Sequence, residues 1–127
     1  GSYCLMDSDY HGYENVRDHF ELACTVLTTV IDQVNRRIVL DVGSKSIATD
    51  QGLPIARWRE DITPFEIHEE HYCMEVESDG PVPCLGDRIE LLPSHICATA
   101  NLYDQFHVFS GREFVERWPI TGRGRYT

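Results

Sequence analysis

The segment Leu91–Asp104, LLPSHICATANLYD, carries a histidine and a cysteine two positions apart. On an extended backbone, the side chains of His95 and Cys97 would project to the same side. Imidazole nitrogen and thiolate sulfur are both good zinc ligands, and a site with only two protein ligands leaves positions open for water or substrate. The alternative is a buried thiol beside a hydrogen-bonded histidine, because this spacing is common by chance. The residues alone leave both interpretations open.

A second histidine pair stands in the acidic stretch 66–71, EIHEEH. A zinc-protease helix needs histidines four apart, whereas His68 and His71 are three apart. The inverted motif would need a histidine where Ile67 stands. The protease motif is therefore excluded. Two hypotheses remain for this stretch. One is a metallohydrolase that uses these two histidines together with His95 and Cys97, and the other is a solvated acidic loop.

Two polar segments could also face a ligand. The turn at 41–45, DVGSK, lacks the glycine and lysine spacing of a phosphate-binding loop. Its Lys45 is the only lysine of the chain, and a lysine in a polar turn is more often solvated than engaged in a Schiff base. The C-terminal segment 123–125, RGR, predicts either a clamp for a carboxylate or phosphate, or a solvated tail.

Length and charge limit the class of protein. The chain has 127 residues, 42% of them hydrophobic and 25% charged, which predicts one globular domain over residues 1–127. The net charge of −10 argues against nucleic-acid binding, which needs a basic surface. We find no apolar run of about 20 residues and no secretory signal pattern, so we expect no membrane association and a cytoplasmic location. The five cysteines have no repeating spacing, which favours reduced thiols.

The elements that would position these residues are mostly strands. The β-branched run Val26–Val34 predicts a strand, and a polar break at 35–37 followed by a strand at 38–42 predicts a hairpin. Further strands are predicted within 66–77, 85–92, 106–109 and 113–118, with a loop over 54–64 and short helices at 13–20 and 98–104. The pattern indicates a mainly β fold, a barrel or sandwich with one or two short helices.

Several segments together resemble a known family. LDVGSK (40–45), EEH (69–71) and GDRIELLPSHICATANLYD (86–104) occur in this order, and further similar segments extend from GSYCLMDSDY (1–10) to WPITGRGR (118–125). The chain resembles the C-terminal domain of the D-serine dehydratase and D-threonine aldolase family. These are fold-type III pyridoxal-phosphate enzymes related to alanine racemase. The resemblance covers nearly the whole chain and implies the β-barrel-like C-terminal fold of alanine racemase.

The resemblance also implies a metal site. In the family, the histidine corresponding to His95 is a metal ligand, and the second ligand is a cysteine in the dehydratase branch and an aspartate in the aldolase branch. Cys97 therefore favours the dehydratase-like branch. The implied metal ion polarises the β-hydroxyl of a D-amino acid while pyridoxal phosphate acts as the electron sink. We expect a divalent ion, zinc because a thiolate with an imidazole suits it, with manganese as the alternative.

The family further implies partners that this chain lacks. The cofactor lysine lies in an N-terminal pyridoxal-phosphate TIM-barrel domain, so we expect the present chain to be inactive alone and assign no catalytic residue within it. We expect a homodimer, with His71, Asp41, Ser44 and Tyr103 near the cleft or the dimer contact. The alternative function is a dimerisation or docking β-domain with no metal and no chemistry of its own.

Overall fold

The computed structural model describes residues 1–77 and 79–125. Eight strands form in chain order: β1 (Val26–Val34), β2 (Arg37–Leu40), β3 (Ile55–Ala56), β4 (Ile62–Ile67), β5 (Tyr72–Val76), β6 (Arg88–Leu92), β7 (Gln105–Ser110) and β8 (Glu113–Pro119). The helices are short: a 3-10 turn at Ser2–Cys4, then α1 (Ser8–His11), α2 (Glu14–Arg17) and α3 (Ile96–Ala100).

Six strands form one antiparallel sheet in the order β3-β6-β1-β2-β5-β4. The two edge strands, β3 and β4, follow each other in the chain and lie close together, so the sheet curls into a nearly closed barrel. A closed or nearly closed sheet leaves few unpaired backbone groups at its edges. The predicted mainly β, barrel-like fold is thereby confirmed.

The hairpin of β1 and β2 shows how local residue types set the register. Val34 pairs with Arg37, which leaves Asn35 and Arg36 as the two-residue turn. Asn35 has a φ of 55°, a left-handed conformation that asparagine tolerates better than most residues and that tight hairpins need. The register shifts between Val30 and Asp32, and such a bulge bends the strand and so helps the sheet to close.

The core fills the inside of this barrel. Alternate side chains of β5, those of Tyr72, Met74 and Val76, are buried, and β2 contributes Ile38 and Leu40 opposite Met74 and Tyr72. Burial of each large apolar side chain stabilises the fold by roughly 1.5–3 kcal/mol. The hydroxyl of Tyr72 donates a hydrogen bond of 2.8 Å to the carbonyl of Pro54, and its burial raises the pKa of the phenol.

Strands β7 and β8 form a separate two-stranded hairpin. No residue of either strand is buried, and every residue of β8 is exposed. The exposed large apolar side chains include Phe109, Phe114, Val115 and Trp118. The rings of Phe109 and Phe114 meet edge to face at 5.7 Å between centroids. The hairpin therefore presents an aromatic surface that the core does not use.

Three sequence predictions need correction. The strand predicted at 38–42 ends at Leu40, because the carboxylate of Asp41 turns back to bind Thr28 and Thr29 of β1. The loop predicted over 54–64 contains β3 and the beginning of β4, whose partners are distant in sequence. Helix α3 begins at Ile96, earlier than predicted, and α1 was not predicted. Among the described residues, no helix is long and apolar enough to cross a membrane.

Candidate metal centre

The predicted ligand pair lies where the chain leaves β6 and enters α3. His95 is extended, with φ −143° and ψ 101°, and is the residue immediately before the helix. Ile96 is buried and begins α3, so Cys97 stands in the first helical turn rather than on an extended segment. The premise that both ligands share an extended backbone is therefore wrong. The two side chains nevertheless interact, since Cys97 helps to raise the pKa of His95 and His95 helps to lower the pKa of Cys97.

His95 has a carboxylate partner that the sequence did not reveal. Its Nδ1 lies 2.6 Å from Oδ2 of Asp50, which is 45 residues earlier in the chain. This hydrogen bond, together with the contact to Cys97, raises the pKa of His95 above its ordinary value. The same bond lowers the pKa of Asp50. With Nδ1 engaged, the other ring nitrogen, Nε2, is the one left for a metal ion.

Cys97 lies at the surface and its thiol favours ionisation. A hydrogen bond from Ser2 is the largest influence and lowers the pKa of Cys97, with a further lowering by the hydrogen bond to His95. The thiolate is the form that binds metals, so both neighbours favour the ligating state. The structure thus excludes the alternative of a buried thiol, since Cys97 is exposed. The thiol of Cys24 behaves in the opposite way, because burial raises its pKa to about 11.

The backbone between the two ligands is held by a buried carboxylate. Oδ2 of Asp7 accepts a hydrogen bond of 3.0 Å from the amide of Ile96, and Oδ1 accepts one of 3.0 Å from the amide of Tyr10. Asp7 is only 1% exposed. Neighbouring Met6 has a φ of 58°, an unusual conformation for a side chain of this size, which turns the chain at this point. The N-terminal segment is therefore part of the site's framework.

Of the four residues expected near the cleft or dimer contact, three lie in or against a neighbouring pair of loops. Ser44 donates its amide to the carbonyl of His68, and the hydroxyl of Tyr103 donates a 2.8 Å bond to the carbonyl of Ser46. His71 is exposed on the facing loop, which also carries the carboxylates of Glu69 and Glu70 that pair with the ammonium of Lys45. Whether these residues border a cleft in a larger assembly stays a prediction.

Asp41, the fourth, binds two residues of β1, and its place near a cleft or dimer contact also stays a prediction. Its Oδ1 accepts bonds from the hydroxyl of Thr28 at 2.6 Å and from the amide of Thr29 at 2.7 Å. Desolvation opposes its ionisation, but these hydrogen bonds outweigh it and lower the pKa of Asp41. The role visible here is to end β2.

The donor set of His95 and Cys97 fits a borderline-soft divalent ion such as zinc. A histidine that binds metal usually donates its other N–H to a carboxylate, which is the arrangement of His95 with Asp50. Within residues 1–77 and 79–125, no three histidine, cysteine or acidic side chains converge as a complete metal cluster. A pair of this kind would form an open, two-ligand site, and among the described residues His68 and His71 do not join it.

Two of the residues that support the site were missed from sequence. The sequence around Asp50, DQG, indicates only a turn, and Asp7 belongs to none of the motifs with a predicted chemical role. Their partners are 45 and 89 positions away, so no local pattern pairs them. Aspartate is a common N-cap residue, and Asp7 stands immediately before α1, so its residue type is a signal that could have identified it.

The curled antiparallel sheet places the chain in a known structural class. It shares its fold with a solved alanine-racemase-like protein from Idiomarina loihiensis, with a TM-score of 0.63 and 20% identity over 84% of this chain and 35% of that chain. More specifically, residues 23–109 match the family described as "Putative serine dehydratase domain". The chain belongs to this family, as its sequence motifs predicted.

Two curated relatives are aldolases by name. The chain is 35% identical to D-threonine aldolase of an Arthrobacter species over 126 residues, which cover 98% of this chain and 33% of the relative. It is 31% identical to 3-hydroxy-D-aspartate aldolase of Paracoccus denitrificans over 132 residues, 98% of this chain and 34% of the relative. The chain thus spans about a third of the length of these relatives.

A solved relative agrees closely in structure. The crystal structure of D-threonine aldolase from Filomicrobium marinum matches with a TM-score of 0.90 and 33% identity, over 100% of this chain and 36% of that chain. The agreement over the full chain includes the segment that carries the histidine–cysteine pair.

Proposed function

We propose that this chain is the metal-bearing C-terminal domain of a pyridoxal-phosphate-dependent lyase that acts on β-hydroxy-D-amino acids. The observation that carries the proposal is the arrangement of His95, Cys97 and Asp50, a nitrogen and a sulfur ligand with a carboxylate on the far side of the ring. Zinc is the proposed ion and manganese the alternative. The proposed partners are an N-terminal pyridoxal-phosphate barrel domain and a second subunit.

Each side chain has a defined part in holding the ion. His95 would ligate through Nε2 while its Nδ1 proton stays with Asp50. Cys97 would ligate as the thiolate, whose negative charge offsets part of the ion's positive charge. A bound divalent ion would supply Lewis-acid polarisation of the substrate's β-oxygen, and pyridoxal phosphate on the barrel domain an electron sink. Cys97 is exposed and His95 is half-buried, so a substrate held by another domain could reach the open side of the site.

Elimination of water and aldol cleavage are both compatible with this arrangement. The cysteine at position 97 favours the dehydratase-like branch, whereas the two curated relatives are aldolases by name. Both reactions begin from a D-amino acid with an oxygen on its β-carbon. The assay of the full-length protein should therefore measure both the keto acid formed by elimination and the aldehyde formed by cleavage.

The proposal is tested by cobalt binding to the metal-free domain. A Co²⁺–thiolate absorption band should appear near one equivalent of cobalt and disappear in Cys97→Ala. The matched control is Cys84→Ala, which removes another exposed, free thiol and should leave the band unchanged. Cys97→Asp should keep divalent-metal binding but lose the band, since a carboxylate replaces the thiolate. Circular dichroism of each variant confirms the fold.

Two results would overturn the metal proposal. The first is a band that survives in Cys97→Ala, which would place the thiolate ligand elsewhere. The second is the absence of stoichiometric binding both in the domain and in the full-length protein. Elemental analysis of the full-length protein, purified with and without added zinc, provides the second measurement.

The aromatic hairpin of β7 and β8 favours a second candidate function, a dimerisation or docking domain. Phe109, Phe114, Val115 and Trp118 are each about half exposed, an unusual concentration of apolar surface on a small soluble domain. A Trp118→Ser variant should then shift the domain from dimer to monomer in light scattering. A wild-type domain that is monomeric and binds cobalt through Cys97 would count against this candidate.

A further inference from the structure

The carboxylate beside the histidine ring is exposed, but the loop that carries it is held in place by hydrogen bonds. The loop around Asp50 is fastened to the segment of the ligand pair at two points. The hydroxyl of Ser94 donates a 2.7 Å bond to the carbonyl of Gly52, and the amide of Ala48 donates a 3.1 Å bond to the hydroxyl of Thr99. Ser94 and Thr99 are each 2% exposed. The loop is thus fixed immediately before His95 and again one turn into α3.

The loop geometry itself depends on a glycine. Gly52 has a φ of 130°, a conformation that residues with side chains rarely adopt, and its amide bonds to the carbonyl of Thr49. This turn brings Asp50 back over the ring of His95, where its Oδ2 lies 2.6 Å from Nδ1. The carboxylate reaches the ring from a turn held by these hydrogen bonds, so protein contacts alone orient the ring.

We propose that Asp50 is the positioning residue of the metal site: it holds His95 as the Nδ1–H tautomer with Nε2 turned to the ion. This inference deepens the proposed function and rests on it for the metal. A free imidazole divides its proton between two nitrogens and rotates about its side-chain bonds. A carboxylate bound to Nδ1 fixes the proton on that nitrogen and restricts rotation of the ring. It also makes Nε2 a stronger electron-pair donor to the metal ion. Loss of such a partner typically weakens metal binding by roughly 10- to 100-fold.

Two other roles for Asp50 make different predictions. As a direct ligand, Asp50 would be needed for binding as much as His95 itself, and its substitution would change the cobalt spectrum at saturation. As a purely structural ion pair, its loss would change stability without changing metal affinity. The exposure of the two side chains, 31% for His95 and 49% for Asp50, makes a large structural contribution from the pair alone unexpected.

The test compares Asp50→Ala and Asp50→Asn with wild type by chelator-competition titration of cobalt and zinc. We expect Asp50→Ala to weaken binding about 10- to 100-fold while the Co²⁺–thiolate band at saturation keeps its shape. Asp50→Asn should retain more affinity, because its amide oxygen still accepts from Nδ1. The matched control is Glu66→Gln, which alters the other carboxylate–histidine pair, 3.6 Å from His68, and should change nothing.

A metal-free readout separates this inference from the proposed function. Nitrogen-15 NMR at a pH where the ring is neutral should show His95 of the wild type protonated on Nδ1, and a mixture of tautomers in Asp50→Ala. A wild type without the Nδ1–H tautomer, or an affinity in Asp50→Ala within twofold of wild type, overturns the role of Asp50. If the wild type has the Nδ1–H tautomer but shows no cobalt–thiolate band, the metal proposal is overturned instead.

Discussion

The carboxylate of Asp7 and the amide of Ile96, 89 positions apart, form a buried hydrogen bond of 3.0 Å between the N-terminal segment and the backbone that joins the two proposed ligands. Asp7 also caps α1 through the amide of Tyr10. One side chain therefore satisfies two backbone donors that have no other partner within their short helices. The N-terminal segment and the site are thereby coupled.

Replacement of Asp7 should destabilise the domain and loosen the site. Asp7→Ala leaves the amides of Ile96 and Tyr10 without their acceptor, which should lower the free energy of unfolding by about 2 kcal/mol. Urea denaturation measures this change, and hydrogen exchange at the Ile96 amide should speed up. Asp9→Ala, an exposed position in the same helix, is the control and should cost less than about 0.5 kcal/mol. Equal effects of both substitutions would contradict the assigned role.

Gly43 should tolerate no side chain. A Cβ at this position would lie 2.3 Å from the backbone oxygen of Glu69, far inside contact distance, and the obstacle is backbone rather than a movable side chain. Gly43→Ala should therefore separate the two loops and cost about 2 kcal/mol or more in thermal or urea unfolding. Gly122→Ala, where nothing lies within 4 Å, should be nearly neutral. A stable Gly43→Ala variant would show that these loops are not packed as described.

Cys24 should make the domain sensitive to alkaline pH. Burial raises the pKa of its thiol to about 11, above its value in the unfolded chain. Its contribution to stability is therefore complete below about pH 9 and is lost as the pH rises through 11. Unfolding free energies measured between pH 8 and pH 11 should fall for wild type, and the fall should be smaller in Cys24→Ala.

Alkylation provides an independent check on the same thiol. At pH 8 the exposed thiols of Cys4 and Cys84 should react with iodoacetamide well before Cys24. If Cys24 reacted as fast as these two, its burial in the folded protein would be contradicted.

Metal binding should weaken in acid. The bond to Asp50 raises the pKa of His95, and the protonated ring cannot act as a ligand. Affinity should therefore fall as the pH is lowered through this raised pKa, with proton uptake on release of the ion. Calorimetric titrations in buffers of different ionisation enthalpy measure the protons exchanged. A binding constant that does not change between pH 5 and pH 8 would exclude His95 as a ligand.

Local sequence patterns were sufficient for those parts of the fold whose causes are local. The β-branched run of β1, the turn at Asn35 and the strands β7 and β8 follow from residue types within a few positions of one another. The two-residue strand β3 does not, because only its pairing with Leu92 of β6 makes it a strand. Tertiary context, rather than propensity, decides such short elements.

The sequence by itself determined which atoms are available for chemistry: a nitrogen and a sulfur two positions apart, in a chain whose motifs match its family. Only the tertiary structure decided how they are arranged. Helix α3 begins between His95 and Cys97, Asp50 meets the ring from 45 residues away, and Asp7 binds the intervening amide from 89 residues away. Spacing along a chain predicts side-chain neighbours only within one element, whereas these partners meet because the nearly closed sheet brings distant loops together.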